Sequence, residues 1–125
     1  MAVVVDASVI AAIAFGEPEG PGLAAHLSGQ TLLAPTLVDY ELANIAWKKV
    51  RRRPVTHPLV AAALRAASRL ELTRVIVPPV EAFRVANETG LTAYDAAYLW
   101  VALIRDAELV TLDADLARAA ARLRP

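Results

Sequence analysis

Short, unbroken apolar runs alternate with longer Ala- and Leu-rich stretches along the whole chain. Residues 2–5 (Ala-Val-Val-Val) are β-branched without polar alternation, which predicts a buried strand. Residues 9–15 stay apolar but turn Ala-rich, the composition of a helix lying close against a sheet. Three Gly and two Pro between 16 and 22 predict a turn, and a short helix over 22–28 follows it. A second strand is predicted over 31–34, stopped by Pro35. Thr36 and Asp39 have the spacing of a capping box, opening a helix that runs to Arg53 and ends at Pro54. The pattern then predicts a helix over 57–70, a third strand over 74–77, and a short helix over 80–88 closed by Gly90. Thr92 and Asp95 repeat the capping-box spacing ahead of a helix over 93–105. A fourth strand over 109–111 and a last helix from Asp113 complete the reading.

Strands that are continuous apolar runs, separated by helices, belong to a parallel sheet covered on both faces. The predicted fold is therefore α/β: a small parallel sheet of about four strands flanked by helices, with right-handed crossovers. The 125 residues contain no repeat or long linker, so a single domain over 1–125 is expected. In such folds the ligand crevice lies at the carboxyl ends of the strands. That rule selects the residues worth weighing.

Composition narrows the partners. Hydrophobic residues make up 57% of the chain, an excess that leaves apolar surface for a partner or a second subunit. The longest apolar run, 96–104, is nine residues, against roughly 20 for a membrane span. No basic leader precedes the first strand, and there is no cysteine, so neither disulfides nor thiolate metal sites are available and a cytoplasmic location is expected. Thirteen basic and thirteen acidic residues balance to zero, so net charge by itself predicts no nucleic-acid partner. The distribution is uneven, however: residues 48–53 (Lys-Lys-Val-Arg-Arg-Arg) form a basic block. Arg51, Arg52 and Arg53 either hold RNA phosphates or complement the dipole of a helix C-terminus.

Four acids fall near the predicted crevice. Asp6 follows the first strand, Asp113 comes two residues after the fourth, Glu41 sits in the helix after the second, and Asp95 opens a helix from the same edge. Asp95 and Asp113 each have a second reading as helix caps. Asp39 is explained by its box with Thr36. Glu41, beside Leu37, Leu42 and Ile45, is harder to account for structurally, because an unpaired carboxylate next to a core stripe is costly. Two carboxylates about 4 Å apart repel by roughly 4 kcal/mol at an effective dielectric near 20, so a cluster calls for protons or a cation. An all-oxygen donor set favours Mg2+ or Mn2+ over zinc. Such an ion activates water and neutralises charge on a phosphodiester, which removes the need for a Ser, His or Cys nucleophile. His26 and His57 read as ordinary surface residues. Ser8, Asn44, Thr111 and Asp115 are candidate supporting groups, each with a bland role as cap, strand end or solvated helix residue. Trp47, Trp100, Tyr94 and Tyr98 either stack on bases or fill a core or dimer face.

The segments 3–10 (VVVDASVI), 40–44 (YELAN), 91–98 (LTAYDAAY) and 109–116 (LVTLDADL) together resemble the PIN domain, specifically the VapC-type toxins of prokaryotic toxin–antitoxin modules. Four matches in order, spanning nearly the whole chain, make the resemblance specific. It implies a Mg2+-dependent endoribonuclease with Asp6, Glu41, Asp95 and Asp113 as its acidic quartet, a homodimer, and a cognate antitoxin that crosses the site. Such domains commonly end in one more short strand. Here the chain stops at Arg124 and Pro125, so that edge strand is expected to be missing or lost.

Two competing classes remain at this level. One is a phosphatase-like hydrolase with Asp6 as nucleophile, which wants an acid where Ser8 stands. The other is a non-catalytic dimerisation or binding module that keeps its acids as caps.

Overall fold

A computed structural model describes residues 1–123. β1 (Ala2–Val5) lies at the interior of the sheet, and Val3, Val4 and Val5 are all but inaccessible. With no polar alternation, this strand has no face to offer water, and a parallel sheet hides both. β2 (Thr31–Pro35), β3 (Thr73–Val75) and β4 (Glu108–Val110) complete a four-stranded parallel sheet in the order β3-β2-β1-β4. β3 starts one residue earlier and ends two earlier than the pattern predicted, and β4 lies one residue earlier, because parallel register is set by the neighbouring strand. Val5 pairs with Val110, and Pro35 with Val75.

The order carries a functional consequence. The chain leaves β1 toward β2 on one side and returns to β4 on the other. The topological switch point is therefore the crevice between the carboxyl ends of β1 and β4. The residue after Val5 is Asp6, and the residue after Val110 is Thr111, so register brings these two side by side.

Seven helices flank the sheet among the described residues. α1 (Ala7–Ala14) contacts α2 (Gly20–Leu27), α3 (Val38–Arg52) and α4 (His57–Ala67). α6 (Ala93–Arg105) covers β1, β2 and β4 and contacts α5 (Pro79–Thr89) and α7 (Ala114–Leu123). The Ala-rich composition of α1 permits close approach: at Gly20, a Cβ would stand 2.6 Å from the carbonyl oxygen of Ala12. Gly90, at φ +78°, closes α5 and turns the chain toward the start of α6.

Two expectations are corrected. α2 begins at Gly20, because Pro21 fits the first turn of a helix and does not exclude one. The capping box at Thr36 does not form: α3 starts at Val38 with no side-chain cap. The Thr36 N–H donates to the Val75 carbonyl oxygen at 3.1 Å, extending the sheet, and Asp39 turns to Arg74. The Arg74 Nε and Nη2 donate to the two Asp39 oxygens at 2.7 Å each. A charged two-bond fork outcompetes a single neutral cap. These bonds, followed by burial acting against them, hold the Asp39 carboxyl below the usual aspartate range. The expectation concerning a strand beyond the last helix, at Arg124 and Pro125, lies outside the described residues.

Candidate active site

Asp6 is the one buried charged residue of the described core, with 6% of its surface exposed. It ends a strand and caps a helix at once. Its Oδ1 accepts the Val9 N–H at 3.2 Å and the Ser8 hydroxyl at 2.6 Å, and its Oδ2 accepts the Thr111 hydroxyl. The two hydroxyls are themselves anchored: Ser8 Oγ accepts the Leu112 N–H at 3.2 Å, and Thr111 Oγ1 accepts the Asp113 N–H at 3.0 Å. Ser8 and Thr111 thus bind Asp6 to the loop after β4 and orient both of its oxygens. A buried carboxylate without such donors would be costly.

Glu41 lies at the first turn of α3, partly buried. Tyr98, in the second turn of α6 and 1% exposed, donates its hydroxyl to Glu41 Oε1 at 2.5 Å. Burial pushes the Glu41 carboxyl above the usual glutamate range; the Tyr98 bond opposes this, and the charges of Asp95 and Asp6 add to it. Asp95 is also pushed upward, first by burial, then by Asp113 and Asp6, with the Thr92 hydroxyl opposing and Asp115 adding a smaller effect. These effects centre on Asp95, which is within electrostatic reach of Glu41, Asp6, Asp113 and Asp115, and Asp6 also reaches Glu41. The capping readings also hold: Thr92 Oγ1 accepts the Asp95 N–H at 3.2 Å, and Asp113 Oδ1 accepts the Leu116 N–H at 2.9 Å. Capping and site membership coincide, since a helix that begins at the crevice presents its cap there.

Among the described residues, no three His, Asp or Glu side chains form a ready-made metal cage. The oxygen-only donor set, with Asp95 half-buried and Asp113 exposed, fits a hard divalent ion held through one or two carboxylates with much of its water shell, as Mg2+ is commonly held.

The other candidates divide. Asp115 belongs to the site's rim, ion-paired with Arg118. Asn44 is exposed, one turn beyond Glu41, and makes no bond that draws it into the site. Arg51, Arg52 and Arg53 are not brought to the acids. They end α3, and eleven residues of helix at about 1.5 Å each put Arg52 roughly 16 Å along the axis from Glu41. Arg51 lies over the Trp47 ring at 4.8 Å, and Arg52 and Arg53 line a groove of about 560 Å³ with Phe15, Leu59 and Val60. This groove belongs to the other end of α1 and α3. Base stacking by Tyr98 is excluded by its burial, whereas Tyr94 is exposed.

Two basic residues escaped the sequence reading. Arg118 and Arg122 line a cavity of about 410 Å³ together with Thr92, Asp95 and Asp115. The signal was present: positions 115, 118 and 122 share one face of a helix that starts at the crevice.

The PIN domain family model matches residues 3–122. Ribonuclease VapC3 of Pyrobaculum aerophilum is 34% identical over 128 aligned positions, covering 94% of this chain and 93% of that protein. Exonuclease VapC9 of the same organism is 39% identical over 82 positions, 64% of this chain and 60% of its own length. The crystal structure of PAE2754 from Pyrobaculum aerophilum superposes with a TM-score of 0.74 at 32% identity, covering 99% of this chain and 96% of that one. With nearly its whole described length matched in sequence and in fold, the chain belongs to the PIN domain family.

Proposed function

We propose that this protein is a divalent-metal-dependent endoribonuclease of the VapC kind, the toxin of a toxin–antitoxin pair. Asp6, Glu41, Asp95 and Asp113 form its acidic site. The observation that carries the reading is Asp6: a buried carboxylate at the switch point, both oxygens aimed by hydroxyls, with Glu41 and Asp95 in electrostatic reach.

Bound Mg2+ or Mn2+ supplies Lewis acidity toward the scissile phosphate and lowers the pKa of the attacking water. Asp6 presents fixed oxygens, Tyr98 fixes Glu41, and Asp113 holds its loop by capping α7. The raised proton affinity of Glu41 and Asp95 makes cation binding compete with protons at these two carboxyls. Arg118 and Arg122, on the Asp95 side, hold the RNA backbone. Ser8 and Thr111 serve the site by positioning Asp6. A second copy of the chain belongs to the same reading: Ile76, Val80 and Phe83 are 80%, 70% and 69% exposed, an apolar patch that a subunit interface would cover. No helix among the described residues is long and apolar enough to cross a membrane.

The name of the VapC9 relative raises an exonuclease as the second reading. Incubating the protein with matched linear and circular RNA, with Mg2+ or EDTA and beside Asp6→Asn, separates the possibilities. An endonuclease opens the circle; an exonuclease degrades only the linear form. Cleavage that survives chelation, or that survives Asp6→Asn, sinks the metal mechanism.

A further inference from the structure

Tyr98 occupies a position that core packing does not explain. Its ring lies in the core, where phenylalanine would serve, yet its hydroxyl ends on a carboxylate of the acidic site. A buried tyrosine hydroxyl needs a partner, and an ionised acceptor makes the bond short and strong. The partner is Glu41 Oε1, at 2.5 Å. Tyr98 lies three residues after Asp95, on the same side of α6. One hydroxyl therefore links the two helices that carry Glu41 and Asp95.

This bond has a consequence for ligand choice. A carboxylate with both oxygens free can grip a large cation with both, as Ca2+ sites commonly require. Mg2+ is held by single oxygens at shorter range and keeps several waters. At Glu41 the Tyr98 hydroxyl occupies one lone pair of Oε1 and fixes the carboxylate, which disfavours a two-oxygen grip and favours binding through Oε2.

We propose that Tyr98 is a positioning residue that restricts Glu41 to one metal-binding oxygen and thereby makes the site select small divalent cations over Ca2+. The proposal rests on the reading of the acids as a divalent-metal site. Loss of an oriented hydrogen bond to a metal-binding carboxylate typically changes cation affinity by about 10- to 100-fold. The change here has a direction: Tyr98→Phe keeps the ring, frees Oε1, and shifts preference toward Ca2+.

The test is calorimetric titration of Mg2+, Mn2+ and Ca2+ into the full chain, unmodified and as Tyr98→Phe, Glu41→Gln and the double variant, with melting curves for each. The unmodified protein is expected to bind Mg2+ and Mn2+ more tightly than Ca2+. In Tyr98→Phe the ratio of Ca2+ to Mg2+ affinity rises about tenfold or more. In the Glu41→Gln background, the same tyrosine change leaves the ratio alone. An unchanged ratio in a folded Tyr98→Phe variant overturns the proposal while leaving the metal site standing. No divalent binding by the unmodified protein overturns both. If Tyr98→Phe fails to fold, the buried hydroxyl proton of the unmodified protein serves instead, observed by NMR. Its persistence at Mg2+ saturation supports the proposal, and its loss on Mg2+ addition means that Glu41 has turned from Tyr98 to the metal, which refutes it.

Discussion

Replacing Glu41 by Gln tests whether the acids are there for function or for the fold. The carboxylate is partly buried and repelled by Asp95 and Asp6, and its one favourable bond, to Tyr98, does not cancel these costs, since its proton affinity remains raised. Folding therefore disfavours the ionised form. The amide oxygen of Gln can still accept from Tyr98 while shedding the charge. In the absence of metal, Glu41→Gln is expected to stabilise the protein by on the order of 0.5–1.5 kcal/mol, within the usual gain from a single stabilising substitution. For a chain of this size that is a rise in Tm of about 3–5 °C per kcal/mol. The sign with pH follows from the raised carboxyl. The penalty on Glu41 is fully present at neutral pH, above its folded-state value. It fades as pH falls through that value toward the ordinary 4.5. The advantage of Gln should accordingly be present at pH 7.5 and absent near pH 4.5. Urea denaturation in EDTA at both pH values reads this directly. Added Mg2+ should then reverse the ranking, because at about 100 times its Kd a ligand contributes about 2.7 kcal/mol to the form that binds it. A variant that is less stable than the unmodified protein at pH 7.5, or equally stabilised at both pH values, would refute the view of Glu41 as a strained functional acid.

Two further outcomes are expected. Arg118→Ala with Arg122→Ala should raise KM for RNA and lower the salt slope of binding by about one per lost phosphate contact, whereas Arg52→Ala with Arg53→Ala should leave cleavage unchanged; the reverse result in a filter-binding and cleavage series would restore the basic block as the RNA grip. Gly20→Ala should cost about 1–3 kcal/mol in denaturant unfolding, because its new Cβ meets the rigid Ala12 carbonyl at 2.6 Å, and a neutral effect would mean that α1 and α2 are looser than described.

Local chemistry was legible along the chain. Ala2–Val5 and Ala93–Arg105 formed as read, the first because an all-apolar β-branched run has no solvent face, the second because Thr92 supplies a cap and Arg105 sits at the far end. The placement of the four acids was legible too, since each stands at a strand end or in the first turn of a helix that opens at one edge of a parallel sheet. Misreadings occurred where a distant partner competed with a local one. Thr36 and Asp39 have the right spacing for a cap, but β3 takes the first and Arg74 the second, and neither contact can be read from neighbours in sequence.

The position of residues 48–53 also depends on the fold. Density along the chain suggested a phosphate grip, yet helix length carries those arginines away from the acids, while the sparser Arg118 and Arg122 face them. What sequence alone determined was the set of elements, their apolar faces and the acids at their ends, because these depend on spacing and on side chains that water rejects or retains. Tertiary structure decided the partners. Register put Thr111 beside Asp6, strand order made the β1/β4 crevice, and the packing of α6 set the Tyr98 hydroxyl on Glu41. Those contacts join residues 57 and 105 positions apart, and only the closed sheet and its covering helices bring such distances to hydrogen-bond length.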